Sequence, residues 1–423
     1  MTWLPKFVVC LSYYDRFRLR SDAFAALVLA LQMFPLAIAI AVATGVHPLY
    51  GISCTAIVGL LASALGESKI RITAPNVVFV AVAASIVARE GTLALSLSTL
   101  LAGVLLVFFG AIGLGAGIRM LSRPVVVGFS TGIAVVVVSQ RVPDLLGLGS
   151  HIVADPVPRA GLTLLRYPVQ IEPHAIILAV ATSILIMACR IASRQVPVSL
   201  IAVTMGALLV KFGHFPVRTI ESLFGSDLRS FPLHPGGAFR VDHLGSILAQ
   251  GFAIAVLVAI ESYQAMGVAA DLTGERFNSN GELFVQGGVN VASAFTGGLP
   301  ASGVSSYTFD NGRLGAQTPI AGILQAVFLV VLLLLMSPVF LFIPLPVISA
   351  LILSSVFSMT NWKEVLGMME VPRIEAAAWV ATSLLTIVTD LPIAIAVGML
   401  IGIFLYIRKK PAILSQAAPG RSP

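Results

Sequence analysis

Apolar runs 17 to 26 residues long follow one another along the whole chain, separated by short clusters of charge, Pro and Gly. A bilayer core about 30 Å thick takes about 20 residues of helix, so these runs predict spanning helices. They lie near 22–44, 49–66, 93–113, 124–140, 174–190, 196–212, 245–270, 281–297, 318–337, 343–359, 373–389 and 391–407. Two further stretches are apolar but broken. Residues 72–88 open with Thr73-Ala74-Pro75-Asn76, and 299–316 open with Leu299-Pro300-Ala301-Ser302-Gly303. Counting both as crossings gives fourteen, and they become the third span of the first seven and the third of the second seven. Interrupted spans in corresponding places are the sequence mark of an inverted repeat with a site at the membrane midplane. The predicted fold is an all-α polytopic membrane protein, 7+7, with no repeat visible by residue identity.

Composition supports this reading. Of 423 residues, 57% are hydrophobic and 11% charged, against roughly 25% charged in a soluble domain, and mean hydropathy is +0.98. A soluble enzyme, a nucleic-acid binder and a disulfide scaffold are poor fits. The net charge of +7 reads as loop Lys and Arg rather than as a nucleic-acid surface. With fourteen crossings the side holding both termini carries 18 of the 26 Lys and Arg. The other side holds Arg89, Arg141, Arg159, Arg166, Lys211, Arg218, Arg229 and Arg240. That excess predicts cytoplasmic termini in a cell (inner or plasma) membrane. No cleaved signal peptide is expected. Cys10, Cys54 and Cys189 read as small interior residues. The six histidines have no metal spacing, and no HExxH, GxSxG or P-loop is present, so the chain does not read as an enzyme. The polar stretch 213–243 reads as an outer loop or a short surface helix.

Two half-helices starting at mid-membrane would aim their N-termini at one point. Each end carries roughly half a positive charge and unpaired N–H groups, an anion site without cationic side chains. The first is expected to start near Asn76 and the second near Ser305-Ser306. Pro75 keeps the residue before it extended, and Gly303 admits close backbone approach. Asn76, Ser302, Ser305, Ser306 and Tyr307 are the candidate substrate donors, with Val304 at the second helix start and Gln32 from the first span. Their competing role is to tie down backbone freed by the breaks. Glu261 is the lone acid deep in its apolar run; an intramembrane carboxylate is costly and suits reversible protonation or cation binding. Its competing role is a structural hydrogen bond.

The motifs also resemble a known family. Asp22-Ala23-Phe24-Ala25-Ala26, Pro35-Leu36-Ala37 and Gly45-Val46-His47-Pro48-Leu49-Tyr50-Gly51 look like the first-span signature of the sulfate permease (SulP) anion transporters, the family that includes prestin. Ile72-Thr73-Ala74-Pro75-Asn76 resembles the third-span T-G-P-T motif, and Pro124 to Gly132, Gln140 and Leu145-Leu146-Gly147 resemble the fifth span. The most specific run starts at Asp271-Leu272-Thr273-Gly274-Glu275-Arg276 and passes Glu282, Gln286, Asn290, Gly297-Gly298-Leu299-Pro300 and Asn311 to Thr318-Pro319. The resemblance covers nearly the whole chain, with two departures. Members normally carry a cytoplasmic STAS domain after the last span, whereas this sequence stops about a dozen residues past Lys410. Many members place an Arg where this chain has Tyr307.

The resemblance implies anion binding between the third and tenth spans and a cation-linked acid at Glu261. It also implies an elevator, a core of residues near 22–118 and 245–337 sliding against a gate near 119–244 and 338–408. Residues 1–21 and 409–423 are the cytoplasmic ends. The expected activity is secondary transport of bicarbonate, a dicarboxylate or sulfate, coupled to H⁺ or Na⁺. The alternatives are a nucleobase transporter of the same fold, or an uncoupled anion channel or exchanger. No cofactor is called for besides that coupling ion. The expected partners are the anion, the lipid bilayer and, through gate contacts, a second copy in a homodimer; no nucleic acid is expected. Asp271, Arg276, Glu282 and Asn290 are expected at the cytoplasmic surface, fixing loop geometry, and Asp390 at the membrane edge.

Overall fold

The apolar runs fold as helices where the pattern places them, and each broken run folds as a strand followed by a short helix. The computed structural model describes residues 5–115, 117, 122–148, 171–192, 196–213, 215–225, 243–360 and 362–416. Outside the described residues lie Arg119, Arg159, Arg166, Arg194, Arg229, Arg240 and Arg421, together with His151, His214, His234 and most of 213–243. The described part of that stretch holds one short helix, Ile220–Phe224.

In chain order the first half has α1 (Lys6–Leu11), α2 (Arg16–Ala43), α3 (Pro48–Leu65) and β1 (Thr73–Pro75). A 3-10 turn (Val77–Phe79) leads into α4 (Val80–Glu90), then α5 (Thr92–Ala111), α6 (Arg123–Leu145), α7 (Pro173–Ala192), α8 (Val198–Gly213) and α9 (Ile220–Phe224). The second half has α10 (Leu244–Thr273), α11 (Ser279–Ala294), β2 (Ala301–Gly303), α12 (Ser305–Arg313) and α13 (Ile320–Met336). A 3-10 segment (Ser337–Phe342) precedes α14 (Leu345–Met359), α15 (Trp362–Gly367), α16 (Arg373–Val388) and α17 (Leu391–Gln416). Local chemistry sets the ends. Asp15 caps α2 by accepting from the Arg18 amide at 2.8 Å, and Pro48 sits in the first turn of α3, where its missing N–H costs nothing.

Among the described residues, α2, α3, α5, α6 and α10 are long and apolar enough to cross a membrane, and α7, α8, α13, α14 and α17 are shorter apolar helices. On α7 the outward positions Ile177, Val180, Ile184 and Met187 are exposed. An apolar stripe of this kind belongs against lipid. The chain is a multi-pass membrane protein.

Packing follows the repeat. α2 packs on α13 as α10 packs on α5, and α3 packs on α13 as α11 packs on α5. Further along, α6 packs on α16 as α14 packs on α7, and α7 on α8 as α16 on α17. Each of these pairs has its counterpart when the first half of the chain is exchanged for the second. The equivalent strands β1 and β2 pair antiparallel, Thr73 opposite Gly303 and Pro75 opposite Ala301. Equivalent strands can pair that way only if the two halves run in opposite directions there. The repeat is inverted.

Small residues bring the helices close, as membrane packing requires. At the α5–α11 crossing a Cβ added to Gly103 would lie 2.8 Å from the Gly287 carbonyl oxygen, and one added to Gly287 would lie 2.7 Å from that of Gly103. The backbones there touch directly.

Two cations counted as loop charges are interior. Arg71 is 4% exposed and pairs with Glu282; Arg141 is 3% exposed and pairs with Asp144 at 3.2 Å. One comes from each side, so the bias in loop charge stands.

Candidate functional site

A two-stranded pair inside a membrane leaves outer backbone groups that water cannot satisfy, so side chains must do so. Asn290 on α11 meets Ala301 with both halves of its amide, donating to the carbonyl at 2.8 Å and accepting from the N–H at 2.9 Å. Gln286, one turn earlier, donates to the Thr73 hydroxyl at 3.1 Å and to Glu282 at 2.9 Å. Glu282, another turn back, holds Arg71, which also donates to the Ala62 carbonyl at 3.2 Å. The Gly303 N–H donates to the Ser262 hydroxyl of α10 at 3.0 Å. A Cβ on Gly303 would fall 2.8 Å from the methyl of Ala265, so only glycine lets β2 lie this close to α10.

Glu282 and Asn290 are therefore not at the cytoplasmic surface as expected. Both are buried at the heart of the site's scaffold, whereas Asp271 and Arg276 are exposed. Local hydropathy cannot separate an inward-facing charge from a surface one. The available signal was spacing: 282, 286 and 290 are i, i+4 and i+8, one polar stripe along an otherwise apolar helix.

The two helix starts meet beside this scaffold. Asn76 is the extended cap residue of the 3-10 turn, its side-chain amide oxygen accepting from the Val78 N–H at 3.4 Å. Its amide nitrogen donates to Glu261 at 3.1 Å and to the Ser302 hydroxyl at 3.5 Å. Glu261 is 6% exposed, and among the described residues no cationic side chain pairs with it. The second start differs. Val304, buried and extended, caps α12 with no side-chain bond, and the buried hydroxyl of Ser305 has no partner among the described residues. Ser306 and Tyr307 are half-buried on the same first turn, Tyr307 packed against the core. The sequence-chosen residues Asn76, Glu261, Ser302, Val304 and Ser305 thus gather around the paired strands. Gln32 is half-buried on α2.

A cleft of about 290 Å³ runs along one face of α4, from Val78 through Ser85 to Arg89, with Gln140 of α6 and Gln250 of α10 across it. At its mouth Arg89 and Asp390 pair at 3.3 Å, both well exposed. Asp390 is thus exposed beside the cleft.

At the other end of the molecule Glu275 joins α1 to the loop before β1, bonding Lys69 at 2.8 Å and Lys6 at 3.0 Å. Burial pushes its carboxyl up, but the two lysines outweigh that and hold it below the usual glutamate range. Sequence reading also missed Asp22, a fully buried carboxylate. It accepts from the Gln317 and Thr318 amides at 2.8 and 3.3 Å and so holds the loop entering α13.

The profile of the Sulfate permease family matches residues 19–382, most of the chain. The chain belongs to the sulfate permease family. This is a family of transporters rather than enzymes, and the match leaves the nucleobase reading without support. The chain is 29% identical to YvdB of Bacillus subtilis (strain 168) over 398 residues, covering 94% of this chain and 75% of that one. It is 27% identical to the bicarbonate transporter BicA of Picosynechococcus sp. over 413 residues, 94% and 72% of the two chains. Among solved structures, the transmembrane domain of a cyanobacterial bicarbonate transporter BicA superposes with a TM-score of 0.77 at 28% identity, covering 90% of this chain and 98% of that one.

Proposed function

We propose that this sulfate permease family member is a secondary active transporter of a small anion, coupled to Na⁺ or H⁺ at Glu261. The observation that carries the reading is the meeting of two inverted helix starts beside a buried carboxylate. The helix ends supply positive potential and N–H donors. Glu261 gives a place for one compensating cation. An anion beside a bare carboxylate is repelled, so the pair crosses the apolar surroundings together and the half-loaded site does not.

The moving body in this reading is a core of α2–α5 and α10–α13, sliding as an elevator against a gate of α6–α8 and α14–α17. The cleft beside α4 supports that division. It separates the two groups along 78–89, about 16 Å of helix, and Arg89 and Asp390 bridge them at the mouth. Loop charge supports cytoplasmic termini, which puts that mouth outside. Tyr307 in place of an Arg removes one fixed counter-charge and favours bicarbonate or a small carboxylate over sulfate. The relatives are named for both anions, YvdB for sulfate and BicA for bicarbonate, so the preference rests on Tyr307.

The test is uptake of labelled bicarbonate, sulfate and fumarate into proteoliposomes, with and without an inward Na⁺ or proton gradient. One anion concentrating only under a gradient is the expected result. Flux that merely equilibrates under every gradient would make the protein a channel or exchanger and Glu261 a structural residue.

A further inference from the structure

The polar groups at the first helix start are already spent on one another. The side-chain NH₂ of Asn76 goes to Glu261 and Ser302, and its side-chain oxygen covers the Val78 N–H. An anion arriving here meets a helix start that has capped itself. It meets the opposite at α12, where no side chain caps the start and the Ser305 hydroxyl is buried without a partner among the described residues.

When Glu261 is ionised, its charge holds Asn76 in this closed position. A hydrogen bond to an ionised carboxylate is roughly twice as strong as one between neutral groups. Ser302 is a weaker anchor, farther away and neutral, and its own hydroxyl is turned to the Gly303 carbonyl at 3.3 Å. A cation on Glu261, whether Na⁺ or a proton, takes away the charge-assisted part of this bond. Asn76 can then swing its NH₂ toward an anion on the α12 start and uncover the Val78 N–H as a further donor.

We infer that Asn76 is the coupling residue of this transporter: held by anionic Glu261 it shuts the first helix start, and released by a cation on Glu261 it opens that start to the anion. The inference rests on the transport reading above and adds to it a specific carrier of the coupling. Cation binding then raises anion affinity without the two ligands needing to touch. Reciprocity requires the anion to raise cation affinity by the same factor.

The test compares the half-saturating concentration of the transported anion, chosen among bicarbonate, sulfate and fumarate, at zero and at saturating coupling cation in proteoliposomes. In the unaltered protein the cation is expected to lower it about fivefold or more. Asn76→Thr keeps a hydroxyl able to cap Val78 but is too short to reach Glu261, so the ratio should shrink below about twofold. Ser85→Ala, farther along α4 on the cleft, leaves the Asn76–Glu261 bond intact and should keep the full ratio. A full ratio in Asn76→Thr, or its loss in both variants, overturns the inference while transport coupling stands. No cation effect in the unaltered protein overturns both. Should Asn76→Thr fail to fold, Glu261→Ala in detergent replaces it. The anion should then raise its Tm as much as it raises that of the unaltered protein already saturated with cation, and a smaller rise overturns the inference.

Discussion

The two helix starts share one backbone plan and differ in their chemistry. Each follows a three-residue strand, each has an extended cap residue, and the strands pair with one another. The first, Ala74-Pro75-Asn76, brings an amide that satisfies the helix, Ser302 and Glu261 at once. The second, Gly303-Val304-Ser305, brings an aliphatic cap and a hydroxyl without a partner among the described residues. In an inverted repeat the backbone geometry is inherited twice, and side chains then divide the work between the copies. Here one start is built to be held and released, the other to stay open.

The strongest way to break that comparison is to remove the charge that holds the first start. Glu261→Gln mimics the neutral state, so anion exchange across proteoliposomes should survive while gradient-driven accumulation disappears. Normal accumulation in that variant would refute the coupling role. Next in size is the scaffold beneath both starts. Glu282→Gln leaves Arg71 buried without its counter-charge, which costs about 3–5 kcal/mol. Thermal unfolding in detergent should show a large drop in Tm, and an unchanged Tm would mean that the pair does not hold β1 in place.

A sharper and smaller test separates binding from folding at the open start. Because the Ser305 hydroxyl has no partner among the described residues, Ser305→Ala should leave Tm unchanged. It should weaken anion binding by roughly 2- to 13-fold, the worth of one hydrogen bond of about 0.5–1.5 kcal/mol. Equal affinity in uptake assays would take Ser305 out of the site. The smallest effect lies at Glu275, which marks the acid limit for any proton-coupling experiment. Its carboxyl is held below the usual range, so its bonds to Lys6 and Lys69 stabilise the fold fully above the ordinary glutamate pKa. That stability is lost as pH falls through the lower, folded value. Glu275→Gln should flatten the decline of Tm below about pH 4, and an identical acid profile would refute the assignment.

Much of this was legible in the sequence. Hydropathy located the helices because a membrane leaves few other ways to satisfy a backbone, and Pro75 with Gly303 marked the breaks. Asn76 and Glu261 stood out as polar residues in apolar company, but not their bond, because residues 185 positions apart come together only through the fold. Arg71 was hidden for a related reason. Two residues after Lys69, it reads locally like any loop cation, and only the polar stripe on α11 gives it a buried partner. The contrast between the two caps was also out of reach, since it depends on which acceptor each side chain finds.

The bare crossing of α5 over α11 acts on the site from a distance. Gly287 lies between Gln286 and Asn290, the residues that hold Thr73 and Ala301. Its backbone meets that of Gly103 directly, with only the Val107 and Val291 side chains beside the contact, so backbone against backbone sets the spacing. Two absent methyl groups work as a gauge block: they fix how far α11 stands from α5, and through Asn290 they fix where β2 and the open helix start come to rest. The tolerance of the site is therefore set at a joint that no substrate touches.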